Sequence, residues 1–117
     1  MIKLTIIIPV YNEIKTIEKL LNKIIRLNIK KQIIVVDDGS SDGTQSILKK
    51  FNKKIDKLIF HKKNSGKGAA IKSAQKFVRG KYTGIQDADL EYDPKDLIKI
   101  VSSMERKKNK IIYGSRV

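Results

Sequence analysis

The sequence predicts an α/β domain: a mainly parallel sheet with helices on both faces. Three observations lead there. Short β-branched runs alternate along the chain with apolar stripes of helical spacing. Each run is followed by a cluster of Gly, Asp, Ser, Asn or Lys, the residues of turns and sites. The chain has 117 residues, 40% of them apolar, enough for one core and hence one domain over residues 1–117. Strands separated by helices pair in parallel, because each crossover returns the chain to the same end of the sheet.

The elements follow in order. Lys3 to Ile8 is the first strand, rich in isoleucine. Ile14, Ile17, Leu20, Leu21, Ile24 and Ile25 recur at helical spacing with lysines opposite, predicting the first helix. Gln32 to Val36 is the second strand, and Ile47, Leu48 and Phe51 stripe a short second helix. Lys57 to His61 is a weaker third strand. Ala69, Ala70, Ala74, Phe77 and Val78 stripe a third helix, which Gly80 is expected to stop. Tyr82 to Gln86 is the fourth strand. Leu97, Ile98, Val101 and Met104 form a fourth helix, with Asp93 as its cap, Pro94 at its first position and Asp96 in its first turn. Lys110 to Tyr113 is the fifth strand.

Composition excludes several classes. There is no cysteine, so neither disulfides nor thiolate metal sites exist. The apolar run Leu4 to Tyr11 is too short to span a bilayer, and with Met1-Ile2-Lys3 leading straight into it no signal peptide is expected. A cytoplasmic location is expected. Lys and Arg number 26 against 12 Asp and Glu, a net charge of +14. The lysines are spread over helix faces and loops, which keeps a protein soluble. Such a surface also attracts anionic membranes and phosphorylated substrates, so peripheral membrane contact is an expectation. Nucleic acid is a poor fit, since the seven aromatic residues form no stacking series with the basic ones.

The carboxylates are not spread. Asp37, Asp38, Asp42, Asp87, Asp89, Glu91 and Asp93 are seven of the twelve, in two short segments. Like charges held together cost free energy unless a cation or hydrogen bonds compensate. Asp87-Ala88-Asp89 follows the fourth strand directly. Carboxylates two apart on an extended end project to one side, where they suit a hard cation such as Mg²⁺ or Mn²⁺. Such cations accompany bound diphosphates.

The other clusters fall at the same strand ends. Pro9 to Glu13, Asp37 to Thr44, Asn64 to Gly68 and Gly114 to Arg116 follow the first, second, third and fifth strands. In parallel sheets ligands gather at that edge. Each cluster alone also reads as a turn or helix entry. Gly66-Lys67-Gly68 is neither a Walker loop nor a dinucleotide fingerprint, because Ile71 stands at the third glycine position. His61 reads as a strand-end residue without catalytic duty.

Taken together, Ile6-Ile7-Ile8-Pro9-Val10-Tyr11-Asn12-Glu13, Val35 to Thr44, Asp87-Ala88-Asp89-Leu90 and Tyr113-Gly114-Ser115-Arg116 resemble the ordered motifs of the family 2 inverting glycosyltransferases. The resemblance is strongest to the branch of dolichyl-phosphate mannose synthases and polyprenyl-phosphate hexose transferases. It covers the whole chain but only the N-terminal half or so of a usual catalytic domain. It implies a GT-A-type, Rossmann-like fold, truncated at its C-terminus. It implies a nucleotide-sugar donor of the GDP-mannose or UDP-glucose type, a lipid-phosphate or glycan acceptor (polyprenyl or dolichyl phosphate foremost) and a divalent metal, Mg²⁺ or Mn²⁺. By resemblance, Pro9, Tyr11 and Glu13 hold the base and ribose, while Val36 through its backbone and Asp38 through its carboxylate contact the base. Asp87, Ala88, Asp89 and Glu91 hold metal and diphosphate, with Asp87 and Asp89 as the catalytic metal ligands, and Arg116 completes the donor site. Glu91 departs from the glutamine of many relatives.

The acceptor half is expected from a C-terminal continuation or a partner chain. Two other readings stand beside the transferase. One is a non-catalytic nucleotide-binding module, or an inactive fragment, of the same fold. The other is a receiver-like or flavodoxin-like domain. A receiver needs an aspartate at the end of its third strand, where this chain has His61-Lys62-Lys63.

Overall fold

The computed structural model describes residues 1–107 and 111–113. Its strands are β1 (Leu4–Val10), β2 (Lys31–Asp37), β3 (Lys57–Phe60), β4 (Tyr82–Ile85) and β5 (Ile111–Tyr113). Its helices are α1 (Ile17–Ile25), α2 (Thr44–Lys50), α3 (Lys67–Gln75) and α4 (Lys95–Lys107), with a 3₁₀ turn at Asn52–Lys54. The strands form one parallel sheet in the order β3-β2-β1-β4-β5. The order reverses direction beside β1, which places a crevice between the carboxyl ends of β1 and β4.

Alternation along the strands makes two cores. Ile6, Ile8 and Val10 of β1 and Ile33 and Val35 of β2 face Leu20, Leu21 and Ile24 of α1, Leu48 of α2 and Leu97 of α4. Ile7, Ile34 and Val36 face the opposite way, toward Ala70 and Ala74 of α3. Small alanines let α3 lie close on the sheet, so that face is covered by one thin helix.

Three elements differ from the sequence reading, each for a local reason. β1 continues through Pro9 to Val10. Pairing with β4 ends at Ile7↔Ile85, while pairing with β2 runs on to Val10↔Asp37. The Val10 carbonyl accepts Asp38 N–H on the β2 side, so alternation turns Pro9 toward the unpaired β4 side. Its missing N–H therefore removes no ladder bond. α1 starts at Ile17, leaving Ile14 41% exposed, because the preceding backbone is held by the loop after β2. α3 ends at Gln75, short of Phe77 and Val78, which pack on the α3 core from the following loop.

Gly80 is also not the helix stop. A Cβ there would lie 2.6 Å from both Thr5 N and Thr5 Oγ1. The space is taken by a buried polar knot. Gly80 N–H donates to Thr5 Oγ1 (2.8 Å), the Thr5 hydroxyl donates to Gln32 Oε1 (2.7 Å), and Gln32 Nε2 donates to the Phe77 carbonyl (2.7 Å). The knot ties the loop before β4 to the floor of β1 and β2.

Candidate functional site

The β2–α2 loop organises the site from below. Gly39 and Gly43 take positive φ (80° and 103°), which glycine adopts without strain. A Cβ at Gly39 would meet the backbone of Lys63 and Asn64 at 2.7 Å. Asp42 accepts Thr44 N–H (3.0 Å) and Ile14 N–H (3.2 Å), Ser40 Oγ accepts Asn12 N–H (2.8 Å), and Thr44 Oγ1 accepts Glu13 N–H (3.0 Å). The Thr44 hydroxyl bond, then the backbone N–H bonds, hold the Asp42 carboxyl below the usual carboxylate range. Residues 12–14 are thus fixed on the wall of the crevice. Asn12 sits there at φ 51°, a left-handed conformation that asparagine tolerates.

Asp38 forms the second wall. It is 4% exposed. Its Oδ1 accepts Ser65 N–H (2.9 Å) and lies 2.8 Å from His61 Nδ1, and its Oδ2 accepts Gly66 N–H (2.7 Å). Burial raises the carboxyl's proton affinity. The His61 bond and the two backbone N–H bonds outweigh it, and the group sits below its ordinary value. This carboxylate therefore fixes the loop that leads into α3.

β4 and its loop supply the third wall. Gln86 is fully buried and its Nε2 donates to the Tyr92 carbonyl (3.0 Å), folding the segment after β4 back on itself. Asp89 Oδ1 accepts Glu91 N–H (3.0 Å), and Leu90 between them takes φ 64°. A left-handed leucine is an uncommon and strained conformation. The Thr16 hydroxyl of the opposite wall donates to the Ala88 carbonyl at 2.6 Å.

The resulting cavity has a volume of about 330 Å³. Pro9, Tyr11, Glu13, Asp38, Asp87, Ala88 and Asp89, all anticipated from sequence, line it together. Tyr11 stands 45% exposed at its edge. Val36 does not line it: its side chain is fully buried in the α3 core. Glu91 does not line it either; it is exposed and reaches the site through its N–H bond to Asp89. Arg116, with Gly114 and Ser115, lies outside the described residues.

Sequence reading missed Lys67 and His61. Lys67 Nζ lies 2.5 Å from Asp87 Oδ1 at the first turn of α3. The only signal was its place after the third strand. His61 carried none, since its partners Asp38 and Ser73 are distant in sequence.

The cavity's donors suit a hard cation. Asp87 and Asp89 offer carboxylate oxygens, and Asp87 already holds the Lys67 ammonium. Among the described residues no three Asp, Glu, His or Cys side chains group into a metal cage. Mg²⁺ and Mn²⁺ take one or two carboxylates and complete their shell with phosphate and water, so two aspartates can serve as their protein ligands.

The motif order and the crevice match one known family. The family description Glycosyl transferase family 2 covers residues 5–117. The chain belongs to that family. Within family 2 it is 33% identical over 131 residues to a dolichyl-phosphate beta-glucosyltransferase of Dictyostelium discoideum, covering 98% of this chain and 40% of that one. The structure of S. aureus TarS 1-349 with UDP-GlcNAc superposes with a TM-score of 0.76 at 27% identity, covering 90% of this chain and 32% of that one. The mannosyltransferase PcManGT of Pyrobaculum calidifontis, with GDP-Man and Mn²⁺, gives 0.72 at 29%, covering 82% and 30%. The fold is therefore GT-A. The chain spans half or less of the length of the curated relatives it matches.

Proposed function

We propose that this family 2 chain is the donor-binding unit of an inverting transferase that moves a hexose from a nucleotide-sugar to polyprenyl or dolichyl phosphate. The observation that carries the reading is the meeting of Asp38, Lys67, Asp87 and Asp89 in one crevice at the sheet's switch point. Lipid-phosphate chemistry is supported by the names of two relatives, the Dictyostelium glucosyltransferase and a dodecaprenyl-phosphate galacturonate synthase. The donor reading is supported by the nucleotide-sugars bound in TarS and the Pyrobaculum enzyme, and the metal by the Mn²⁺ in the latter.

In this reading Tyr11 and Pro9 pack against base and ribose, with Glu13 beside them. Asp38 spends three of its roughly four acceptor positions on its own fold. One position on Oδ2 is left for a base N–H. Val36 would meet the base through its backbone, and Glu91 acts indirectly by orienting Asp89; Arg116 is proposed to complete the diphosphate site. Asp87 and Asp89 would hold the divalent cation, which when bound supplies neutralisation of charge growing on the departing diphosphate. Lys67, displaced from Asp87, would pair with the same phosphates. The acceptor oxygen bonds to the anomeric carbon from the far side as the bond to the diphosphate oxygen breaks, and the nucleoside diphosphate leaves with the electron pair. A phosphate acceptor is already an anion, so it needs no general base from this chain.

The acceptor side is proposed to come from a C-terminal continuation or a partner chain, acting at the cytoplasmic face of a membrane. No helix among the described residues is long and apolar enough to cross one. The test is transfer of radiolabelled sugar into a lipid fraction. The 117-residue chain should bind donor yet transfer little, and an extended form should transfer. Efficient transfer by the short chain would place the acceptor site within it. Donor binding without transfer in either form would favour a non-catalytic nucleotide module.

A further inference from the structure

A second concavity, of about 780 Å³, runs along edge strand β3 and the outer side of α3. Lys62, Lys63, Lys72 and Lys76 line it with Phe60 and His61, and no carboxylate does. The basic surface extends beyond the groove. Lys49 Nζ lies 5.8 Å from the Phe60 ring centroid. Lys57 and Lys76 lie 4.3 and 5.8 Å from that of Phe77. Three of these lysines stand over the rings of Phe60 and Phe77, and among the described residues none of the six makes an ion pair. Asp56, beside Lys57, turns its Oδ2 to Ile33 N–H, and Asp38 is shielded behind His61.

Guarding an edge strand against pairing explains a lysine on β3, such as Lys57. It does not explain Lys72 and Lys76 on α3. Like charges gathered without counter-charge are held at a cost that an external anion relieves. Phe60, 38% exposed on the edge strand, adds an apolar contact that a small soluble anion would leave in water. An anionic bilayer satisfies both, with headgroups for the lysines and an acyl boundary for the ring.

We infer that the β3–α3 face docks this chain on anionic phospholipid. The loop Lys62–Lys67 separates this groove from the donor crevice, so docking on that face would hold the crevice beside the bilayer. The inference goes beyond the donor reading and does not depend on it, because vesicle binding is measured without sugar transfer.

The experiment is co-sedimentation of the 117-residue chain with vesicles of phosphatidylcholine, with and without phosphatidylglycerol. Two variants carry the same loss of net charge. Lys62→Glu/Lys72→Glu/Lys76→Glu alters the docking face, and Lys15→Glu/Lys19→Glu/Lys23→Glu alters the loop before α1 and α1 itself, on the opposite face of the sheet. Binding only to the anionic vesicles is expected. The first variant should weaken it roughly 100-fold or more, and the second less than about tenfold. Thermal melts check that each is folded; where the glutamate triple is not, glutamine at the same three positions should show the same ordering. Absence of binding by the parent chain, or equal losses in both variants, would overturn the inference. So would tighter, face-dependent binding to a nucleic-acid oligonucleotide.

Discussion

His61 Nδ1 lies 2.8 Å from Asp38 Oδ1, while its other ring nitrogen lies 2.8 Å from Ser73 Oγ on α3. A carboxylate only accepts, so the Nδ1 that faces Asp38 donates to it, and Nε2 faces the Ser73 hydroxyl. A wall of the crevice is thereby tied to α3, the helix whose first turns also line the crevice. His61→Ala should cost about 1–3 kcal/mol of stability, because a buried carboxylate loses a donor. Ser73→Ala should cost about 0.5–1.5 kcal/mol. Urea denaturation of both variants measures this. A neutral result for His61→Ala would mean that the two backbone N–H groups suffice for Asp38.

The depressed Asp38 proton affinity sets a sign for pH dependence. A carboxyl whose folded value lies below its unfolded value stabilises the fold above the unfolded value, near pH 4, and loses that contribution as pH falls through the folded value. The stability gap between the parent chain and Asp38→Asn should therefore shrink as pH falls below about pH 4. Denaturant melts across that range would show it. A gap that widens toward acid would contradict the assigned bonds.

Asp38 is also proposed to receive a base N–H. Asp38→Ala should weaken nucleotide binding by roughly 1–3 kcal/mol in protein that remains folded. An unchanged dissociation constant would confine Asp38 to holding the Ser65–Gly66 loop.

Lys67 offers a test of the phosphate assignment. Its ammonium already sits on Asp87, in a half-exposed pair that adds little stability. Lys67→Ala should leave the melting temperature nearly unchanged. It should weaken nucleoside diphosphate binding about tenfold, through loss of a charge-assisted bond to phosphate. Binding of the bare nucleoside should not change. Equal losses for nucleoside and diphosphate would place Lys67 elsewhere than at the phosphates.

The fold was legible where local pattern and tertiary role coincide. Isoleucine runs and helical stripes located the five strands and four helices of the described residues, because burial on both faces of a parallel sheet demands such runs. The seven anticipated residues that line the crevice were legible because they stand at or just past the carboxyl ends of strands. What escaped depends on pairs far apart in the chain. The need for a glycine at position 80 arises from Thr5 rather than from a helix end. His61 has its role only through Asp38 and Ser73. Ile14 belongs to the helical stripe, yet its N–H is claimed by Asp42.

Gly80→Ala tests one of these long-range constraints. The added methyl would meet Thr5 backbone at 2.6 Å, which a flexible side chain cannot relieve. A destabilisation of about 1–3 kcal/mol is expected from the forced shift. Thermal unfolding that matches the parent would show that the loop before β4 yields freely.

The central claim is that Asp87 and Asp89 make this crevice a metal-dependent diphosphate site. Calorimetric titration of the folded chain with GDP and with UDP, in Mn²⁺ and again in excess chelator, tests it directly. At least one nucleotide should bind at least about tenfold more tightly with Mn²⁺, and Asp89→Ala should remove that difference while leaving the chelator-state affinity intact. Equal affinity in Mn²⁺ and chelator, for a nucleotide that does bind, would contradict the claim.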